Sequence, residues 1–138
     1  HGSASGQMGD NLPKIDFGAG RSVLSIVAGS GFTCALLDDN SVKCWGVNHL
    51  GALGQGDTQD RGRNVGEMGA NLLAVDLGVG RTALAIDMGD NHTCALLDDN
   101  SVKCWGYNAG NLGIGSFDDK GDEPGEMGDN LPAVNLLN

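Results

Sequence analysis

Four cysteines carry the most reactive side chains in this sequence, and they come in pairs. Cys34 and Cys44 lie in the stretch TCALLDDNSVKCWG at Thr33–Gly46, and Cys94 and Cys104 lie in a letter-for-letter copy at Thr93–Gly106. Three chemistries compete for such thiols. A zinc site wants closely spaced cysteine knuckles with further Cys or His ligands. Here nine residues separate each pair, and only His49 and His92 are available beyond the first residue. A thioredoxin-like redox site wants C-x-x-C. The spacing favours the third reading, a structural disulfide inside each copy.

Carboxylates are the second resource. The segment Ser116–Asn130 holds Asp118, Asp119, Asp122, Glu123, Glu126 and Asp129 against Lys120 alone. The matching segment Asp57–Asn71 holds Asp57, Asp60 and Glu67 against Arg61 and Arg63. Clustered carboxylates near glycine can ligate calcium through oxygen, which makes Asp118, Asp119 and Asp122 weak calcium candidates. No spacing matches the D-x-D-x-D-G calcium loop, and a solvated acidic loop is the commoner outcome, so no cofactor is expected. There is no G-x-S-x-G elbow, no H-E-x-x-H and no phosphate loop. No catalytic residue is assigned, and an enzyme is not expected.

Turn chemistry positions the cysteines. A hairpin centred on Asp39 leaves a three-residue loop, Asp38-Asp39-Asn40, repeated as Asp98-Asp99-Asn100. The favoured three-residue hairpin is a type I turn followed by a residue in the left-handed region. Asparagine tolerates that region best after glycine, and Asn40 and Asn100 fill the slot. The same register sets Cys34 opposite Cys44 and Leu36 opposite Val42. Closing a loop of 11 residues stabilises by roughly 2.8 kcal/mol in the chain-entropy model. Persistent disulfides point to an oxidising location: extracellular, cell-surface or periplasmic.

An internal repeat organises the rest. Met8–Ile26 matches Met68–Ile86 at an offset of 60, and Met127–Leu137 opens a third copy. The boundaries read as residues 1–7, a tag or linker remnant; 8–67, repeat 1; 68–126, repeat 2; and 127–138, the first strand of a third repeat. Each repeat predicts about four short strands. One of them places Leu24 and Ile26, or Leu84 and Ile86, on one face. A long loop, 47–67 or 107–126, follows each tryptophan strand. The chain has 138 residues, 24 of them glycine, and only 4% are aromatic. This composition fits many turns and short elements. The net charge of −10 disfavours nucleic acid, which needs basic contacts, and no apolar run is long enough for a membrane span.

The run HTCALLDDNSVKCWGYNAGNLGIG at His92–Gly115 resembles the regulator of chromosome condensation repeat. The pattern fixes His92, Thr93, Ala95, Leu96, Asp99, Val102, Trp105, Gly106, Asn108, Gly110, Leu112, Gly113 and Gly115. Copy one matches from Thr33 to Gly56, with Phe32 in the histidine position and Ala52 in the glutamine position. With its cysteines, the sequence looks most like an extracellular subgroup. The resemblance implies an all-β chain of four-stranded antiparallel propeller blades, about two per chain. It also implies function through protein contact. Two blades leave faces and edges uncovered, so a homo-oligomer or strand exchange is expected to complete the propeller. The expected function is a non-enzymatic extracellular interaction or structural module with an unknown protein or glycan partner. The alternative is a calcium- or carbohydrate-dependent adhesive module. The candidate binding positions are Asp57, Asp60, Arg61, Arg63, Tyr107, Asp118, Asp119, Asp122 and Glu123, with His49 as a further exposed contact.

Overall fold

Short runs of β-branched and aliphatic residues, cut by glycines, form six strands in the computed structural model, which describes residues 1–136. They are β1 (Val23–Ala28), β2 (Phe32–Leu37), β3 (Val42–Gly46), β4 (Ala83–Met88), β5 (His92–Leu97) and β6 (Val102–Gly106). The strands pair in order as two antiparallel sheets, β1-β2-β3 and β4-β5-β6. The helical structure described is three short 3-10 turns, Gly9–Asn11, Gly69–Asn71 and Gly128–Asn130. Residues 137 and 138, the end of the expected third-repeat strand, lie outside the described residues.

The expected four-stranded blade is corrected to a three-stranded sheet. The runs expected as a further strand, Leu12–Gly18 and its two counterparts, form no named strand. The second touches the edge of β3 through the Val75 amide donating to the Val42 carbonyl at 2.8 Å. The third touches β6 through Val134 to Val102, also 2.8 Å, and one bridge between Lys103 and Ala133. Past this contact the run is held by other partners. The Asp76 carbonyl accepts from Gly128 N, as the Asp16 carbonyl accepts from Gly69 N, and the Leu77 and Phe17 carbonyls accept from the Lys103 and Lys43 side chains. Pro13 and Pro132 also have no amide to donate.

A bulge corrects a second expectation. The pairing of β4 with β5 shifts between Ala83 and Ala85, leaving Leu84 as the extra residue, and β1 does the same at Leu24. One extra residue inverts the alternation beyond it. Ile86 is therefore buried at 8% exposure, while Leu84 is exposed. Ala83, across from Leu97, joins Ile86 on the inward face.

Each sheet has two chemically distinct faces. One carries the disulfide, with Leu36 and Val42 in sheet 1. The other carries the tryptophan, with Ala95, Leu97 and Ile86 in sheet 2. The cysteine face of sheet 1 packs on the tryptophan face of sheet 2, and this seam is the main core: Cys34, Leu36, Val42 and Cys44 against Ile86, Ala95, Leu97 and Trp105. A smaller cluster covers the other side of sheet 1, where Phe17 packs on Ala35, Leu37 and the edge of Trp45, with ring centroids 5.4 Å apart.

Candidate interaction loops on a stapled frame

The two hairpins that hold the loops are alike. Cys34–Cys44 and Cys94–Cys104 are disulfides with S–S distances of 2.08 and 2.12 Å. Leu37 N donates to Ser41 O, so pairs alternate from there and the cysteines fall on a non-hydrogen-bonded, close pair. Their Cα atoms are 4.1 Å apart. Asn40 and Asn100 sit at φ 61° and 66° and are the only non-glycine residues with positive φ among the described residues. Asp39 closes the turn by accepting from the amide and hydroxyl of Ser41, at 3.1 and 2.6 Å. Asp99 does the same with Ser101. These serine bonds, with Arg21 beside Asp39 and Arg81 beside Asp99, hold both carboxyls below their ordinary pKa against a small burial effect.

One lysine ties each frame to the next repeat's entry turn. Lys103 is buried and its ammonium donates to the carbonyls of Leu77 and Gly128, at 3.1 and 2.8 Å. Lys43 donates in the same way to Phe17 and Gly69. A buried ammonium needs such acceptors to offset its desolvation. Nothing in the local sequence marks these lysines, because the carbonyls they reach lie about 25 residues away, in each direction along the chain.

Asparagine organises each loop, a role the sequence reading did not assign. Asn48 is fully buried at the start of its loop. Its carboxamide donates to the Asp57 carbonyl at 2.7 Å and accepts from Leu53 N at 2.9 Å. Its own amide donates to the Asp60 carboxylate at 2.9 Å. Asn108 repeats the device: it donates to Ser116 and Asp118 carbonyls, accepts from Gly110 and Leu112 amides, and its amide meets Asp119. The N-x-x-G-x-L-G spacing of copy one was the available signal; copy two lacks one residue of it.

The carboxylates divide into those engaged by backbone and those left at the surface. Asp60 accepts from Asn48 N and from Arg63 at 2.6 Å, which hold it below its ordinary pKa despite slight burial. Asp57 pairs with Arg61 at 2.7 Å. Glu67 caps Arg63 N and Asn64 N and takes the Asn64 carboxamide, and these bonds, the Asn64 side chain first, lower its pKa. In the second loop, Glu126 accepts from Lys120 at 2.9 Å and from Gly121 N and Glu123 N. These bonds lower its pKa although burial acts the other way. Burial and a hydrogen bond with Glu126 raise that of Asp122. The Glu126 contact raises that of Lys120. The Asp118 and Glu123 carboxylates, with Asp122, line an open acidic depression beside Lys120. Among the described residues, no group of three or more His, Cys, Asp or Glu side chains is placed to hold a metal ion. Tyr107 and His49 are exposed at the roots of the two loops, and His92 is half-buried at the start of β5.

Two repeated sheets, stapled alike and stacked face on face, define a propeller-type repeat protein. The chain belongs to the regulator of chromosome condensation (RCC1) repeat family, whose model matches residues 23–52 and 84–111. It is 34% identical over 101 residues to the serine/threonine-protein kinase Nek9 of Xenopus laevis and 35% identical over 101 residues to the ultraviolet-B receptor UVR8 of Arabidopsis thaliana. Each match covers 72% of this chain but only 10% and 21% of those proteins. Among solved structures, human WBSCR16 superposes with a TM-score of 0.61 at 20% identity, covering 92% of this chain and 30% of that one. Prp20p from Saccharomyces cerevisiae gives 0.62 at 15% identity, covering 89% and 28%. These likenesses show the fold.

Proposed function

We propose that this chain is a non-enzymatic protein-interaction module acting outside the reducing cytosol. The observation that carries the reading is the contrast between frame and loop. Both repeats use the same stapled hairpin and the same asparagine organiser, yet their loops present different surfaces. The first is neutralised by Asp57–Arg61 and Asp60–Arg63 pairs. The second offers Asp118, Asp122 and Glu123 around a single lysine already paired to Glu126. Rigid scaffolds that vary their loops recognise through those loops. The structural neighbour Prp20p is known for its binding to Gsp1p and histones and in complex with Kap60, which supports protein contact as the mode and leaves the partner to be found. The two disulfides support an oxidising location.

The test is a protein array probed with the full chain and with an Asp118→Lys/Asp122→Lys/Glu123→Lys variant of equal thermal stability. Binders held by the parent and lost by the variant are expected. An identical binding profile for both would remove the acidic loop from the reading.

A further inference from the structure

The internal seam shows what each outer face of this chain accepts. The cysteine face of sheet 1 is sealed by the tryptophan face of sheet 2, and Leu36 keeps only 3% exposure. The cysteine face of sheet 2 carries the identical hairpin, yet Leu96 is 36% exposed, and Cys94 and Val102 are half-exposed. The tryptophan face of sheet 1 is covered by Phe17 over Ala35 and Leu37 but is open along β1. Ile26 is 57% exposed where Ile86 is 8%, and Val23 is exposed where Ala83 is buried. Trp105 Nε1 donates to the Ala52 carbonyl of the preceding repeat's loop at 3.1 Å, whereas no acceptor meets Trp45 Nε1 among the described residues. The residue aligned with Ala52 in the second loop is Asn111, and it is exposed.

We propose that the chain binds a second copy of itself head to tail, the tryptophan face of sheet 1 in one copy seating on the cysteine face of sheet 2 in the other. Trp45 then donates to the Asn111 carbonyl, and Ile26 covers the Cys94–Cys104 side of the second copy. The contact is heterologous: the two patches are different surfaces of the same molecule, so it can propagate or close into a ring. Two positions make it weaker than the internal seam. Asp87 stands where sheet 1 has Val27, and His92 where it has Phe32.

Docking also requires an exchange at the edge of β6. Within the chain, Val75 pairs with Val42 as its run crosses into the seam. Ile15 is the residue aligned with Val75 and is exposed, as is Leu12. In the stack, the acceptor for Ile15 N is the Val102 carbonyl, which Val134 N already occupies. The two competing segments begin with the same six letters, MGDNLP, at Met8 and Met127. The chain's own run from Leu131 to Val134 is therefore a placeholder that the incoming run from Leu12 to Asp16 displaces.

Sedimentation velocity over a concentration series tests this, with Ile26→Glu and Leu96→Glu variants, each altering one open face at an already exposed side chain. The parent is expected to associate reversibly. Each variant alone is expected to stay monomeric, while an equimolar mixture forms a dimer, because one intact pair of faces survives between the two. Val134→Pro, which removes the competing amide, is expected to strengthen association of the parent. A parent that stays monomeric at millimolar concentration overturns the proposal, and so does a mixture of the variants that forms no dimer. Weaker or unchanged association of Val134→Pro overturns the exchange.

Discussion

Asp122 and Glu126 share a hydrogen bond and shift in opposite directions, which gives their replacements opposite effects. Asp122 binds its proton more tightly folded than unfolded. Its contribution to stability is therefore complete below its ordinary pKa of 3.8 and is lost as pH rises through the folded value. Asp122→Asn mimics the neutral form, so it should raise the melting temperature at pH 7 and leave it unchanged in acid. Glu126 is the reverse: it stabilises above its ordinary value of 4.5, and that is lost as pH falls through the folded value. Glu126→Gln should therefore lower the melting temperature at pH 7, with the difference closing in acid. Thermal melts of the two variants between pH 3 and 8 give both signs, and parallel shifts of one sign would refute the assignment. The buried loop organiser is a separate residue-scale case. Asn48→Ala removes the acceptor for Leu53 N and the donor to Asp57. Leaving such groups unpaired costs about 1–3 kcal/mol, to be read in chemical denaturation.

At the scale of elements, the hairpin was legible because its constraints are local. Two identical cysteine spacings and one asparagine slot determine a register without tertiary information, and Asn40, Cys34 and Cys44 sit as that register demands. Leu84 was misplaced because a bulge is a property of pairing with β5, and a period-two reading of β4 alone cannot contain it. The fourth strand was misread for a similar reason: the run past Val75 is held by partners far along the chain, the Asp76 carbonyl by Gly128 N more than 50 residues away and the Leu77 carbonyl by Lys103. The loop carboxylates were visible as charge but not as caps, because their partners are backbone amides with no sequence signature. The two staples should also differ in worth. Cys34–Cys44 is sealed in the seam, whereas Cys94 is half-exposed on the outer face. Replacing either pair by alanine removes the constraint on the unfolded chain, roughly 2.8 kcal/mol. Only Cys34→Ala/Cys44→Ala also leaves a cavity in the main core, adding a cost that scales with its volume. Urea denaturation should rank that variant clearly below Cys94→Ala/Cys104→Ala; equal losses would mean that the seam repacks around the gap.

For the molecule as a whole, identical residues differ by their place in the stack. Trp105 is fully buried with its indole bonded to Ala52, while Trp45 is half-buried beneath Phe17 on an open face. Truncating a buried tryptophan costs about 3–5 kcal/mol, and one that retains solvent contact loses less apolar burial, about 1–2 kcal/mol. Trp105→Ala should therefore be severely destabilised or unfolded while Trp45→Ala still folds, as guanidine titration at micromolar protein would show. Head-to-tail association makes this gap depend on concentration, because Trp45 becomes buried as Trp105 already is. Each copy carries a charge of −10, so the approach of two copies is opposed by a repulsion that salt screens. Raising sodium chloride from 20 to 300 mM at high protein concentration should strengthen association, and with it widen the stability difference between the parent and Trp45→Ala. If instead the cost of Trp45→Ala is the same at every concentration and salt level, the tryptophan face of sheet 1 serves only its own chain, through Phe17.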